Sequence, residues 1–221
     1  MDLSTYTVHV NRFKVDVIAD DHYIKQCLSN GYEWDSWMRQ DIPHIYKPGT
    51  DILDIGGNIG WNALMFSDYG PVHTFEPLFH PVVSKNVSQN ETQNPIKVYP
   101  IGLSNVSSEV MIYKPKPSNE GLTNYGGCSM HHADDKLLPG YPVKIERLDD
   151  VYFGTPSFIK LDVEHHEYQA ILGALETIKR GRPSMYIEIF DFENSPIVPL
   201  MKELGYSKII PRPEHNYLFV Q

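Results

Sequence analysis

The chain has 221 residues, of which 41% are hydrophobic, and this length and composition predict a single globular domain with one sizeable core. Acidic residues outnumber basic residues by 28 to 19, which gives a formal net charge of −9. This charge balance argues against partners with a phosphate backbone, so we expect no nucleic-acid partner.

The sequence shows no signal for secretion or membrane insertion. The first residues have neither the basic start nor the apolar segment of a signal peptide, and no apolar run approaches membrane-spanning length. Cys27 and Cys128 lie about a hundred residues apart without metal-type spacing, which indicates free thiols in a reducing compartment. We therefore expect a cytoplasmic protein without a membrane partner.

Residues 1–48 are expected to form an N-terminal unit of a hairpin and helices. Side chains from Tyr6 to Ile18 alternate between apolar and polar, which predicts a β-hairpin. A short helix is expected from Asp20 to Asn30, and a second helix must end by Pro48-Gly49. Between these two helices, Glu33 is a candidate cofactor-binding residue.

The stretch from Asp51 to Phe66 carries the strongest functional pattern. A short apolar run, three glycines and an apolar helical pattern predict a strand, a tight turn and a helix, which Asn58 is expected to cap. Glycines let a ligand approach the amides at a helix N-terminus. The dinucleotide fingerprint would need glycine at Ile55. The sequence instead matches D-x-G-x-x-x-G, a pattern associated with S-adenosylmethionine, and the candidate contacts are Asp54, Gly56, Gly57, Asn58 and Gly60.

The ends of the next two predicted strands support a cofactor site. Val72 to Phe75 is expected to be a strand ending in Glu76-Pro77, and a carboxylate there can accept hydrogen bonds from both ribose hydroxyls. Lys97 to Ile101 is expected to be a third strand, which leads into Gly102-Leu103. Because successive parallel strands end at one edge of a sheet, Glu76, Pro77 and Leu103 are candidate cofactor contacts.

The pattern changes between residues 106 and 147. Strands are predicted at Glu109–Tyr113 and Pro142–Ile145, and a long polar segment with His131 and His132 separates them. A loop of this length is uncommon in a compact domain unless it binds a ligand or is mobile. We interpret it as a flap on the substrate side of the site.

The C-terminal part alternates strands and helices again. This alternation predicts an α/β fold with a doubly wound, mainly parallel sheet that has helices on both faces. Residues 49–221 would then be the cofactor-binding core of one domain. The expected elements are a strand at Ser157–Leu161, one helix over Tyr168–Ile178 stopped by Gly181, a strand at Met185–Phe190, a helix at Pro196–Gly205, and an antiparallel hairpin of Lys208–Ile210 and Tyr217–Val220.

These motifs together resemble the FkbM-type methyltransferases, a branch of the class I enzymes that use S-adenosylmethionine. The resemblance runs from about Tyr32 to Ile189 and implies a seven-stranded, Rossmann-like sheet. It also implies an O-methyltransferase that acts on a hydroxyl of a small molecule or glycan, with a sugar as the expected acceptor. The motifs that carry it are Asp54–Gly60, Phe75–Pro77, Arg147–Asp150, Phe158–Glu164, Gly173-Ala174, Arg182-Pro183 and Ile187-Glu188.

Candidate catalytic groups lie at the ends of the fourth and fifth strands. Transfer to a hydroxyl requires a base or a cation for the proton, and the candidates are Asp162, Glu164, His165 and Glu188. His165 stands where relatives commonly have glycine; as a neutral imidazole it is a hypothetical base, or it shapes the pocket. Asp162 is equally a candidate for the cofactor's amino group, and a divalent metal on Asp162 and Glu188 is an alternative. His166 is interpreted as a polar residue that opens the next helix.

Two rival functions remain open. A nicotinamide-dependent oxidoreductase would use the same kind of sheet, although Ile55 disfavours it. A binding or scaffold domain would keep the fold after losing activity, and the intact Asp54, Gly56, Gly60 and Glu76 count against it.

Overall fold

The structure is a computed structural model that describes residues 3–131 and 140–221, so the predicted flap residue His132 lies outside the described part. In that part, the strands are β1 (Thr5–Val10), β2 (Phe13–Ile18), β3 (Asp51–Ile55), β4 (Val72–Phe75), β5 (Ile96–Tyr99), β6 (Gly102–Leu103), β7 (Ser108–Ile112), β8 (Tyr141–Glu146), β9 (Pro156–Leu161), β10 (Ser184–Glu188), β11 (Lys208–Pro211) and β12 (Asn216–Val220). The helices are α1 (Ile24–Ser29), α2 (Met38–Ile45), α3 (Trp61–Phe66), α4 (His80–Ser88), α5 (Leu148–Val151), α6 (Glu167–Leu172), α7 (Leu175–Gly181) and α8 (Ile197–Glu203).

A seven-stranded sheet of order β11-β12-β10-β9-β3-β4-β5 forms the centre of the fold. The strands from β10 to β5 are parallel, whereas β12 pairs antiparallel with both β10 and β11. All six residues of β9 are buried, because a central parallel strand is covered on both faces. The prediction of a mainly parallel sheet with an antiparallel C-terminal hairpin is confirmed.

Two hydrophobic clusters cover the two faces of this sheet. Leu53 and Ile55 of β3 belong to the cluster that α6, α7 and α8 complete, whereas Ile52 belongs to the cluster completed by α2 and α3. Successive residues of a strand point to opposite faces, so β3 contributes to both clusters. Helices therefore lie on both faces, as predicted.

The N-terminal unit packs against one end of the core. Strands β1 and β2 form the predicted hairpin, and their apolar side chains join Trp61 and Phe79 in a third cluster. Helix α1 begins at Ile24, later than the expected Asp20. None of the helices in residues 3–131 and 140–221 combines the length and apolar character that would let it cross a membrane.

The predicted strands of the flap region form a separate small sheet. In it, β8 lies between β6 and β7, parallel to β6 and antiparallel to β7. Thr123, in the described segment between β7 and β8, forms a β-bridge with Asp21 of the N-terminal unit. The flap region therefore contacts the N-terminal unit through Thr123, in addition to forming its own sheet.

The expected single helix over Tyr168–Ile178 is wrong: the structure has two helices, α6 and α7. The carboxylate of Asp149 accepts hydrogen bonds from the backbone N–H groups of Glu176 and Thr177, at 3.1 and 2.8 Å, and so satisfies the first turn of a new helix. A Cβ on Gly173 would lie 1.9 Å from the carbonyl oxygen of Ser104, so the chain comes too close for a side chain there.

The expected end of the helical segment at Gly181 is confirmed: Gly181 is the last residue of α7, and Arg182 after it adopts the left-handed conformation with φ 47°. Gly181 itself is required by close packing, since a Cβ there would lie 2.4 Å from the carbonyl oxygen of Pro156.

We predict that Gly173→Ala destabilises the protein by about 1 to 3 kcal/mol, the usual cost of overpacking, because the new methyl group overlaps a backbone carbonyl. Chemical denaturation measures the loss. Gln169→Ala, on the half-buried face of α6, is the control and should change stability by less than about 0.5 kcal/mol. Equal stabilities for the two variants would contradict the close approach.

Candidate active site

The carboxyl ends of the parallel strands open onto one cavity with a volume of about 810 Å³. Its walls include the glycine turn after β3, the end of β4, the turn after β9 and the end of β10. The described flap residues 124–130 form another wall. This volume is in the range of small-molecule sites, and the position is the crevice where α/β sheets bind ligands.

Two glycines of the turn are required by close approach. A Cβ on Gly56 would lie 1.8 Å from the carbonyl oxygen of Asp162, and Gly56 has φ 85°. A Cβ on Gly57 would lie 2.3 Å from the Thr74 hydroxyl. Both residues line the cavity, but each is required to be glycine by a close approach within the protein, whereas the expected reason was the approach of a ligand.

The expectation that Asn58 caps α3 is wrong. Gly60, with φ 85°, is the residue before α3, and no side chain caps that helix. Asn58 lines the cavity, and its backbone N–H donates to Glu76 Oε2 at 2.9 Å. Gly60 does not line the cavity; a Cβ there would lie 2.9 Å from Val83 Cγ1, so this glycine lets α3 pack against α4.

Glu76 lies in the cavity wall with its carboxylate held by backbone amides. Oε1 accepts hydrogen bonds from the N–H groups of Leu78 and Phe79, at 2.7 and 2.9 Å, while Oε2 accepts, among the described residues, only the one from Asn58. Oε2 therefore retains a lone pair for a ligand. Burial raises the pKa of Glu76 to about 7. The predicted contacts Pro77 and Leu103 line the cavity beside it.

Lys160 is the buried cation of the site, and the sequence reasoning missed it. Its Nζ lies 2.9 Å from Asp162 Oδ2 and donates to the Gly56 carbonyl at 3.1 Å, which joins the end of β9 to the glycine turn. A lysine inside the apolar run of β9 was the available signal. The predicted contact Asp54 is fully buried beneath the turn, outside the cavity lining, and accepts a hydrogen bond from the Thr74 hydroxyl.

Asp162, Glu164 and Glu188 bring their carboxylates together. One oxygen from each lies within 4.8 Å of the others, close enough to share one proton or one oxygen-liganded cation. Burial, with the charge of Asp162, raises the pKa of Glu164 to about 8 and that of Glu188 to about 10. Without a bound cation, this half-buried trio therefore carries fewer charges at neutral pH than three isolated carboxylates would.

His165 lies at the mouth of the cavity. Its exposed ring contacts the Phe190 ring, with centroids 4.6 Å apart, and Phe190 contacts His215 at 5.3 Å. The backbone of His165 has φ 73°, a conformation that favours glycine and costs free energy for other residues. His165 therefore has a strained backbone at a position where it lines the cavity.

His166 directly precedes α6, as expected, but its side chain is buried and hydrogen-bonded rather than simply polar. His166 is 7% exposed, and its Nε2 and Nδ1 form hydrogen bonds with Ser104 Oγ at 2.9 Å and His131 Nε2 at 3.0 Å. Burial, with the nearby His131, lowers the pKa of His166 to about 4, so this imidazole is neutral at pH 7. His166 lines the cavity, and His131 of the flap contacts it through this hydrogen bond.

Asn62 and Asp35 form a second polar corner that the sequence reasoning missed. Asn62 is 8% exposed and lines the cavity; its Nδ2 donates to Asp35 Oδ2 at 3.0 Å, while its Oδ1 has no hydrogen-bond partner in the described chain. Burial raises the pKa of Asp35 to about 6. The predicted contact Glu33 lies outside the cavity lining and pairs with Arg39 at 2.6 Å. The contact between Asn62 and Asp35 depends on tertiary structure, so no local sequence pattern indicates it.

The family model of the methyltransferase FkbM domain matches residues 54–208 of this chain. No curated protein matches the sequence.

Three solved structures show the same fold. The methyltransferase FkbM from Methylobacillus flagellatus KT has a TM-score of 0.53 at 17% identity over 78% of this chain, which spans only 43% of that protein. A Pyrococcus horikoshii protein has a TM-score of 0.53 at 12% identity, over 99% of this chain and 71% of its own length. The M. jannaschii tRNA m1G37 methyltransferase has a TM-score of 0.51 at 10% identity, over 99% of this chain and 54% of its own.

We predict that Glu188→Gln stabilises the cofactor-free protein at pH 8 but not at pH 4. The folded pKa of Glu188, about 10, lies above the ordinary 4.5, so the folded state keeps a proton that the unfolded chain releases. Stability is then lost as pH rises, and the amide removes that loss, with a gain on the order of 2 kcal/mol. Urea unfolding at the two pH values measures it. Glu203→Gln, exposed on α8, is the control, and a gain independent of pH would contradict the prediction.

Proposed function

The chain belongs to the FkbM methyltransferase family, and we propose that it transfers the methyl group of S-adenosylmethionine to a hydroxyl of a sugar or similar polyol. The observation that supports the cofactor is the glycine turn beside Glu76, where Gly56 and Gly57 line the cavity and Glu76 Oε2 retains an acceptor lone pair. When bound, S-adenosylmethionine supplies a methyl group on a positively charged sulfur.

We assign one polar site of this cavity to each of two parts of the cofactor, the ribose and the ammonium group. We assign the ribose hydroxyls to Glu76, since a buried carboxylate at this strand end accepts such donors. The ammonium group is assigned to the corner of Asn62 and Asp35, because Asn62 Oδ1 is a buried acceptor without a partner in the described chain and Asp35 adds negative charge behind it. This assignment replaces Glu33, which Arg39 already neutralises.

We propose Glu164 as the group that accepts the hydroxyl proton. A useful base has a pKa near the operating pH. The pKa of Glu164 is raised to about 8 and that of Glu188 to about 10, so Glu164 is the easier of the two to deprotonate. Asp162 is held by Lys160 and serves to orient the trio. His165 and a trio-bound divalent cation are the rival routes.

A hydroxyl acceptor is supported by the charge of the cavity. Asp162, Glu164 and Glu188 line it, and Lys160 is the only lysine or arginine of the described chain in its lining. Phosphate-rich acceptors depend on such cations for binding. The likeness to an RNA methyltransferase is at 10% identity and concerns the fold alone.

Calorimetric titration tests the cofactor assignment with two ligands: S-adenosylhomocysteine, and methylthioadenosine, which lacks the amino-acid end. Glu76→Ala should weaken both by about 1.5 to 3 kcal/mol, the usual loss for a hydrogen bond to a charged group. Asp35→Asn should weaken only S-adenosylhomocysteine, because only that ligand carries an ammonium group. Glu33→Gln should change neither affinity.

The same titration distinguishes the rival functions. A folded wild-type protein that binds NAD and no S-adenosylhomocysteine would overturn the methyltransferase proposal. Unchanged affinity in Glu76→Ala, with its circular dichroism intact, would remove Glu76 from the ribose site; Glu76→Gln is the milder variant if alanine prevents folding.

Glu164→Gln should lower the rate of tritiated methyl transfer by roughly 10² to 10⁴, with the affinity for S-adenosylhomocysteine retained. Because the base must be deprotonated, the wild-type rate should fall as pH drops through the pKa of Glu164, which is about 8 without ligand and lower beside the cationic cofactor. His165→Ala should keep this pH dependence. Loss of the pH limb in His165→Ala would make the imidazole the base, and loss of activity with chelator, restored by Mg²⁺, would favour the metal route.

A further inference from the structure

We infer that His165, Phe190 and His215 form the acceptor-binding surface and that this surface selects a hydroxyl-bearing ring without a phosphate group. The inference rests on the proposed function, because it assigns the acceptor side of the same cavity. We call these three residues the aromatic rim.

The aromatic rim is continuous and belongs to the cavity. The Phe190 ring contacts His165 on one side and His215 on the other, with centroid distances of 4.6 and 5.3 Å, and all three residues line the cavity. His165 follows β9, Phe190 follows β10, and His215 immediately precedes β12. The rim therefore lies at the sheet edge that carries the carboxylate trio.

The rim is exposed although it is aromatic. Phe190 is 44% exposed, whereas large apolar side chains are usually buried. An exposed aromatic surface at the mouth of a cavity marks a binding site for a ligand with an apolar face. The C–H face of a sugar ring has this character, while its hydroxyl edge is polar and would face the carboxylates.

Backbone strain on both loops independently points to a function for the rim. Glu164 and His165 have φ 54° and 73°, and Glu214 and His215 have φ 56° and 60°. Each is a left-handed conformation that non-glycine residues rarely adopt. Each of the two loops thus has two consecutive residues in the left-handed conformation, at the point where the loops meet at the mouth of the cavity. Such backbone strain persists where the surrounding structure and function require it.

The lining beside the rim disfavours phosphate. The exposed Glu214 lies next to His215, and the other acidic residues nearby, Glu164 and Glu188, offer a phosphate no positive charge. Lys160, the lining cation of the described residues, already contacts Asp162 and the Gly56 carbonyl. A phosphate would therefore find no unpaired lysine or arginine in the described lining, which disfavours anionic acceptors, whereas a neutral or amine-bearing ring is tolerated.

Saturation-transfer NMR with methyl hexosides, a methyl aminohexoside and the matching hexose 6-phosphates tests the surface in the presence of S-adenosylhomocysteine. The neutral and amine-bearing sugars should receive saturation at their ring C–H protons, and the phosphates should not. Phe190→Ala should abolish the transfer and raise the acceptor KM about tenfold with little change in kcat, and Phe190→Tyr should restore both. Phe153→Ala is the matched control, since Phe153 is 78% exposed but precedes β9, at the opposite edge of the sheet.

A charge variant tests the selection against phosphate. Glu214→Gln should raise the use of hexose 6-phosphates relative to neutral hexosides by about two- to fivefold, the range expected for one exposed charge. Equal saturation in Phe190→Ala and Phe153→Ala, preferred binding of the phosphates, or binding of no sugar would overturn the inference. Equal saturation or preferred binding of the phosphates would leave the proposed function intact if S-adenosylhomocysteine still binds. Binding of no sugar would also contradict the sugar acceptor of the proposed function, and loss of S-adenosylhomocysteine binding would contradict the methyltransferase proposal by itself.

Discussion

The contact of Lys160 with Asp162 and the glycine turn is the interaction on which the site depends. One buried ammonium group bonds to a carboxylate of β9 and to the carbonyl of Gly56 after β3, so it joins the two central strands at their functional ends. Removal of a buried partner of this kind leaves uncompensated charge, which costs several kcal/mol. Asp54 and Asp35 lie within the electrostatic reach of the same lysine.

An excess of carboxylates around one cation prepares the cavity for a positively charged ligand. Burial raises the pKa of each of Asp35, Glu76, Glu164 and Glu188, so these carboxyl groups hold protons that isolated carboxylates would release. A bound cation favours the ionised forms and so lowers these pKa values. Binding of a cationic cofactor and activation of a carboxylate base are therefore coupled through electrostatics.

The sequence predicted the parts of this structure that local signals encode. Strand ends, the glycine turn and Glu76 follow from hydrophobic runs and glycine spacing, and they meet because parallel strands end at one edge. Contacts between distant segments were missed: Asn62 meets Asp35 across 27 positions, and Ser104 meets His166 across 62. The break between α6 and α7 was missed for the same reason, because the capping carboxylate of Asp149 comes from another element.

The flap and the proposed base are positioned by one set of hydrogen bonds. At one end, Tyr125 donates its backbone N–H to Asp21 of the N-terminal unit; at the other, the Ser129 hydroxyl donates to the carbonyl of Glu164 at 2.7 Å. The second bond holds a residue whose backbone is already strained, with φ 54°. Because this strained turn orients the Glu164 carboxylate, the docked flap both walls the cavity and supports the conformation in which the base faces it.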